Sequence, residues 1–533
     1  MRTIHALAMT LTLGAAGAAA ADTATFVTIL RGQPVGREVV TRSAGEGGPI
    51  LTSHAAIELP GGISLTFDQR ATLSPDGLRI VAYDLSAVGA GRNAHITAEP
   101  TPGGWKLAAG APDSSVPPIA KDLPVQGPSS LVDNNLASHL DLFCRGLRLA
   151  PGEKLSTTAV VPQVLMAITG TTTRTGEGAG TLDGKPTETL RYRLEMASVM
   201  LELDCRKVDG ALMEARVPMQ QVTYRLEGYM SDAAPAEAAD PRERETSVGS
   251  AELKLPAVLT LPKAEGTVPI VVMLSGSGPN DRDETIGPNK PFRDLARGLA
   301  DRGIASLRFD KAAHLGKDAS SLDEEYVTDA LSAIAVARAQ PGVDGSRVVL
   351  LGHSLGALGA LTTAVKTQDL RGLVLMAGPV RAVDVMLLDQ VSHQMKLTGA
   401  DAAEIETQQH QIEQAFARYR DPSSVLPPPF MGASARYWKD LLSRDTVALV
   451  GASSLPILVL QGEKDIQVRL DVDYGVLRAK VGDVGGRVTY RSFPGLNHLF
   501  MPIEGESTGG EYAIAGHVAP EVIEAVASWV LAR

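Results

Sequence analysis

Cysteine is almost missing from this chain. Its 533 residues hold two, Cys144 and Cys205, too few for a Cys-rich zinc module or a dense disulfide scaffold. Runs of Lys and Arg are missing too. Together with a net charge of -11, this argues against a nucleic-acid partner, which calls for a basic patch along a phosphate backbone. Past the N-terminus no stretch reaches the roughly 18 uninterrupted apolar residues that a membrane-spanning helix needs. The 53 glycines and 33 prolines follow no collagen period and so mark turns. Disorder is excluded as the dominant state, because 44% of the residues are hydrophobic and only 21% charged. What remains is a globular chain long enough for two large domains or three ordinary ones.

The first residues read as a secretory signal. Met1-Arg2 supplies one positive charge, an apolar stretch runs from Ile4 to Leu13, and Gly14, Gly17 and Ala18 to Ala21 supply small residues. Charge, apolar core and small-residue cleavage site in that order are the marks of an exported chain. Cleavage is expected after Ala21, giving a periplasmic or secreted protein with no transmembrane segment in its mature part. A short buried helix is the alternative. In an oxidising compartment Cys144 and Cys205 are free to pair, and sequence leaves open whether they do.

Two halves follow with different patterning. Residues 22–230 read as a β-rich domain. Phe26 to Leu30 is short, apolar and β-branched, and Ala56 to Leu59 and Ile63 to Phe67 flank the hairpin signal Pro60-Gly61-Gly62. Thr187 to Leu194 and Met219 to Leu226 alternate as half-buried strands do. Only Asp133 to about Leu147 looks helical, so we expect an antiparallel sheet with one helix laid across it. His54, His95 and His139 lack the spacing of metal ligands. Residues 231–245 are rich in Ala, Pro and charge and read as a linker.

From 246 to 533 strands alternate with helices. Pro269 to Leu274, Ala305 to Phe309, Arg347 to Leu351, Gly372 to Met376 and Pro456 to Leu460 are short apolar runs suited to buried parallel strands. Pro291 to Arg302, Glu325 to Gln340 and Ala357 to Lys366 read as the helices between them. This grammar specifies a mostly parallel sheet with helices on both faces. Residues 380–454 break the alternation. Ile405, Ile412, Phe416 and Tyr419 share one helical face there, so a helical cap insertion is expected.

The chemistry lies in this second half. Gly352-His353-Ser354-Leu355-Gly356 is G-x-S-x-G between an apolar strand and a small-residue helix. That setting suits a nucleophile elbow, in which the serine sits on a strained turn. A serine hydroxyl needs a base. His498, in a loop just past the strand-like Val488 to Arg491, is the best placed histidine; the side chain of His353 should point elsewhere. The base needs a carboxylate, and Asp465 follows the strand ending near Gln461, ahead of its rivals Glu463 and Asp471. The order Ser354, Asp465, His498 is the hydrolase order for such a sheet. An oxyanion needs two preorganised N–H donors. The amide of Leu355 is one, and the small-residue loop Ser275-Gly276-Ser277-Gly278 should give the other, from Ser277 with Gly276 as runner-up. Asp281, Arg282 and Asp283 are expected to brace this loop. Tyr437 and Trp438, in the insertion, are candidates to contact substrate.

Four motifs, SGSGPNDRDE (Ser275 to Glu284), GHSLGA around Ser354, QGEKDIQV around Asp465 and GLNHLF around His498, resemble those of the α/β-hydrolase superfamily. The similarity is to its bacterial secreted carboxylesterases, near the serine aminopeptidase and dienelactone-hydrolase-like branches. It covers roughly residues 245–533. It implies an α/β-hydrolase fold, a Ser-His-Asp triad and hydrolysis of carboxylic esters, commonly with short acyl groups, on a small-molecule substrate and without metal or cofactor. One turn departs: relatives often carry Arg-Gly-x-Gly after Asp310-Lys311, where this chain has Ala312-Ala313-His314-Leu315-Gly316. A peptidase or acyl thioesterase using the same triad is the enzymatic alternative, and a non-catalytic binding protein the alternative of another class.

Overall fold

The computed structural model describes residues 22–533, apart from 46, 60–62, 90–91, 113–116, 126, 134, 197–198, 233–239, 265, 398–401 and 422–432. The signal-like segment, the turn at Pro60-Gly61-Gly62 and residues 233–239 of the linker therefore lie outside the described residues. The remainder forms two sheets.

The first sheet takes sixteen strands, from Asp22–Leu30 to Tyr229–Ser231, in a near-sequential meander. All pair antiparallel except Ser129–Leu131, which runs parallel to Lys154–Val161. Alternation fixes which side is buried. Leu51, Ser53, Ala55 and Ile57 point inward from one strand, and Phe67, Gln69, Ala71 and Leu73 from the next. They close on helix Ala137–Gly146, whose residues from Ala137 to Cys144 are buried. Trp105 Nε1 donates to Ser129 Oγ at 3.0 Å. This joins a strand beside one edge of the sheet to the strand at the other, so the sheet rolls round the helix.

Polar groups fix the helix within the roll. Gln69 Nε2 donates to Ser53 Oγ at 2.8 Å, and its Oε1 lies 2.7 Å from His139 Nε2. Cys144 is bridged to Cys205 with Cα atoms 5.7 Å apart, which settles the pairing that sequence left open. His54 and His95 lie on the surface beside Asp68 and Asp84.

The second sheet has eight strands. Their spatial order is Glu243–Gly249, Lys254–Thr260, Ala305–Phe309, Val268–Leu274, Val343–His353, Gly372–Met376, Ile457–Gly462 and Val488–Phe493. The last six run parallel, and the Lys254–Thr260 strand is antiparallel to its neighbours. Val268–Leu274 is buried throughout. Ile270, Val272 and Leu274 face a core shared with helices Thr328–Arg338 and Leu355–Ala364. Val271 and Met273 face a core shared with helices Pro291–Ala300 and Pro520–Leu531. This is the α/β-hydrolase fold, with the expected antiparallel β-rich domain before it.

The first two strands of this sheet were not legible in sequence. Glu243–Gly249 begins inside the stretch expected to be linker. It is an edge strand, and its charges pair across the sheet margin: Glu243 with Arg308 and Arg297, Glu245 with Arg282. Charge on an edge strand discourages pairing with another chain, and in sequence it resembles a solvated linker.

Between Gly372–Met376 and Ile457–Gly462 the chain leaves the sheet. It forms helices Val383–Leu397, Ala402–Arg420, Ala435–Leu442 and Thr446–Ala452. Ile405, Ile412, Phe416 and Tyr419 are the buried face of the second. The β domain touches the hydrolase domain on this side of the sheet. Arg31 reaches the carbonyl of Ala313 (3.4 Å), Gln221 the carbonyl of Thr285 (3.3 Å), and Lys121 pairs with Glu404 of the cap (3.0 Å).

Candidate active site

Three parallel strands end together, and each delivers one group. Val343–His353 passes into helix Leu355–Ala364 through Ser354, held at φ 54° and ψ -126°. A residue with a side chain in that region costs roughly 1–3 kcal/mol, which the surroundings must offset. Glycines make the turn possible. A Cβ on Gly352 would lie 2.1 Å from the carbonyl oxygen of Gly356, and one on Gly356 would lie 2.3 Å from that of Leu274. The Ser354 amide donates to the carbonyl of Met376 at 2.9 Å, which fixes the elbow to the next strand. The helix that starts here turns its positive end toward Ser354.

Asp465 follows Ile457–Gly462, and His498 follows Val488–Phe493. His498 Nδ1 lies 2.7 Å from Asp465 Oδ2, and both residues are 4% exposed. Asp465 is fully engaged. Its Oδ1 accepts from the amides of Gln467 (2.8 Å) and Val468 (3.0 Å), and its Oδ2 also accepts from Gln461 Nε2 (3.1 Å). The rival carboxylates turn away. Glu463 accepts from Ser492 Oγ at 2.8 Å, and Asp471 pairs with Arg469 at 2.9 Å.

The loop after Val268–Leu274 lies against Ser354. A Cβ on Gly276 would stand 3.1 Å from Ser354 Cβ, so only glycine fits without displacing the serine. The Gly276 amide donates to Glu284 Oε1 at 2.5 Å, which removes it as an oxyanion donor and leaves Ser277 as the loop's candidate. The charges beyond brace the loop as expected. Arg282 pairs with Asp310 (3.0 Å) and Glu245 (2.6 Å), and Asp283 with Arg308 (2.8 Å) and Lys290 (3.1 Å). The departing turn at Ala312–Leu315 is held by His314, whose Nδ1 lies 3.1 Å from the carbonyl of Pro279.

A further shell of buried groups was not anticipated. The His353 ring does turn to partners other than Ser354, and it is not idle. Its Nδ1 lies 3.0 Å from Glu284 Oε1, and its Nε2 lies 2.9 Å from the carbonyl oxygen of His498. A carbonyl only accepts, and so does an ionised carboxylate. Both ring nitrogens must therefore donate, which makes His353 an imidazolium when Glu284 is charged. Burial opposes that charge, but Glu284 and the His498 carbonyl outweigh it and raise the imidazole above its ordinary pKa. Glu284 thus holds both the Gly276 loop directly and, through His353, the loop that carries His498. On the other side of the loop lie Lys311 and Tyr326, 4% and 2% exposed. The signal for these residues was positional: Lys311 and His353, like the candidate triad, stand at the C-terminal ends of parallel strands.

Tyr437 and Trp438, the expected substrate contacts, are used in packing. The Tyr437 hydroxyl donates to Glu325, and its ring meets Trp438 edge-on at 5.8 Å. Trp438 meets Phe416 at 5.2 Å, and both are buried in the core beneath the cap.

Residues 271–507 match the alpha/beta hydrolase family. The chain is 36% identical over 283 residues to Esterase EstD of Thermotoga maritima; the match covers 52% of this chain and 65% of that protein's length. Among solved structures, Est1E from Butyrivibrio proteoclasticus is similar at 15% identity and a TM-score of 0.37, covering 54% of this chain and 99% of that one. The esterase domain of a Rhodothermus marinus protein is similar at 16% identity and a TM-score of 0.33, with coverage of 54% and 97%.

Proposed function

We propose that this chain, an α/β-hydrolase by fold, is a serine esterase that cleaves carboxylic esters with short acyl groups through an acyl-enzyme. The observation that carries the reading is the buried His498–Asp465 pair at 2.7 Å, set on neighbouring strand ends, with Ser354 on a strained strand-to-helix turn at the same end of the sheet, two strands from Ile457–Gly462. The relative named an esterase supports the same reaction class.

In this reading Ser354 Oγ attacks the ester carbonyl carbon while His498 Nε2 takes the hydroxyl proton. Asp465 holds the Nδ1–H tautomer and stabilises the imidazolium that forms. The negative charge gathers on the former carbonyl oxygen, where the amides of Leu355 and Ser277 receive it. Collapse breaks the bond to the alcohol, which leaves with the proton from His498. Water, deprotonated by the same imidazole, then attacks the acyl-serine and releases the acid. No step calls for a metal or cofactor.

The test is Ser354→Ala assayed with aryl esters, aminoacyl anilides and acyl thioesters. The ester rate should fall by on the order of 10³–10⁶ with folding intact. Full activity in the variant, or a preference for anilides over esters in the wild type, would overturn the reading. Export belongs to the same proposal. It rests on the signal-like N-terminus and agrees with the Cys144–Cys205 bridge. Sequencing the protein recovered from a secreting host should start at Asp22, and an N-terminus at Met1 would refute it.

A further inference from the structure

Three side-chain donors converge on one backbone oxygen behind the nucleophile. The carbonyl of Gly276 accepts from Lys311 Nζ at 2.9 Å, from the Tyr326 hydroxyl at 2.9 Å and from Asn280 Nδ2 at 3.1 Å. Lys311 is otherwise committed to Glu325 and to the Tyr326 oxygen (3.0 Å). A buried lysine with all three protons assigned is a costly arrangement, since burying its charge is unfavourable. Packing the loop does not by itself call for it: Asn280 and Glu284 already hold the backbone of Gly276.

The peptide unit gives the arrangement a purpose. No cis bond occurs among the described residues, so the C=O of Gly276 and the N–H of Ser277 lie on one trans plane and point in opposite directions. Donors that bind the oxygen on one side aim the N–H out of the other. They also draw electron density toward the oxygen, and in a low-dielectric interior that polarises the N–H. A charged donor does so more strongly than a neutral one.

We propose that Lys311 and Tyr326 are positioning residues of the oxyanion hole: by binding the Gly276 carbonyl they orient and polarise the Ser277 N–H. This rests on the reading that the Ser277 amide receives the oxyanion. Glu325 holds the Lys311 ammonium in place and is itself held by Tyr437 of the cap. The cap helix is thereby tied to the donor it overlies.

The test uses two variants of the full chain. Tyr326→Phe removes one donor and keeps the ring. The double variant Lys311→Met with Glu325→Gln removes the charged donor without leaving an unpaired carboxylate. Each is measured for kcat on an aryl ester and for thermal unfolding. Each is also measured for affinity toward a trifluoromethyl ketone, which adds to serine and forms an oxyanion, and toward the unreactive amide analogue of the ester, which does not. Because an oxyanion donor acts on the charged state alone, kcat and ketone affinity should fall together by on the order of ten- to a hundredfold, with amide affinity within about twofold of wild type. Equal losses of ketone and amide affinity, or wild-type kcat in a folded Tyr326→Phe, would overturn the proposal. A Ser354→Ala variant separates the two levels. If it stays active the triad reading fails; if it is inactive while Tyr326→Phe is fully active, only the positioning role fails.

Discussion

Replacing Asp465 by asparagine tests the site with a single atom. The carboxylate accepts four hydrogen bonds, two at each oxygen. An asparagine has one acceptor and one donor end. The backbone amides of Gln467 and Val468 cannot reverse, so the side-chain oxygen must stay on them at the Oδ1 position. The NH₂ is then forced toward His498 Nδ1. A ring nitrogen facing a donor must give up its proton, so the imidazole proton moves to Nε2. In that tautomer no lone pair faces Ser354, and the base is lost. The same NH₂ also meets the Gln461 amide donor, so the variant pays a second cost there. Loss of the correct tautomer lowers kcat by about 10⁴ where it has been isolated in a triad, equivalent to about 5.5 kcal/mol at 1.36 kcal/mol per decade. Glu463→Gln should change the rate little, because Glu463 faces Ser492. The assay is kcat for a short aryl ester at neutral pH, with thermal unfolding as the control for folding. An Asp465→Asn enzyme within tenfold of wild type would show that Asp465 does not set the His498 tautomer, and a larger loss in Glu463→Gln would move that role to Glu463.

Two further outcomes follow from buried groups. His353 is raised above its ordinary pKa in the folded state, with burial opposing the charge and Glu284 prevailing. Its contribution to stability is therefore complete below the unfolded imidazole pKa of about 6.5 and is lost as pH rises through the folded value. Urea unfolding from slightly acid to alkaline pH should show this decline in the wild type and not in Glu284→Gln; parallel curves would contradict it. Trp438→Ala should remove about 3–5 kcal/mol of stability by opening a cavity beside Phe416 and lower kcat/KM alike for short and longer acyl esters. A changed chain-length ratio at unchanged stability would place Trp438 on the acyl wall instead.

What the sequence disclosed follows from the physics of each element. Buried parallel strands such as Val268–Leu274 are apolar on both faces, and a strained elbow demands Gly352 and Gly356, so strand and serine were both readable. Asp465 was readable because it stands just past such a strand, Ile457–Gly462; His498 follows the half-exposed edge strand Val488–Phe493 and was readable from its place in the loop beyond that strand. The hairpin opening the second sheet was hidden because its edge strand carries Glu243, Arg244 and Glu245. The Glu284–His353 and Lys311–Glu325 pairs were hidden for a different reason. A buried charge is recognised by its partner, and these partners lie 69 and 14 positions away. Tyr437 and Trp438 lie on an amphipathic helix, and periodicity marks a buried face without saying whether a pocket or a core lies beneath it.

Covalent labelling shows whether Ser354 is the nucleophile. The purified protein is treated with a fluorophosphonate, digested, and the modified residue identified by mass spectrometry. One adduct is expected, on the peptide containing Gly352-His353-Ser354-Leu355-Gly356 and on Ser354 itself, formed as ester hydrolysis is lost and absent from Ser354→Ala. An adduct on another residue with activity lost in step, or hydrolysis that survives full modification of Ser354, would contradict it.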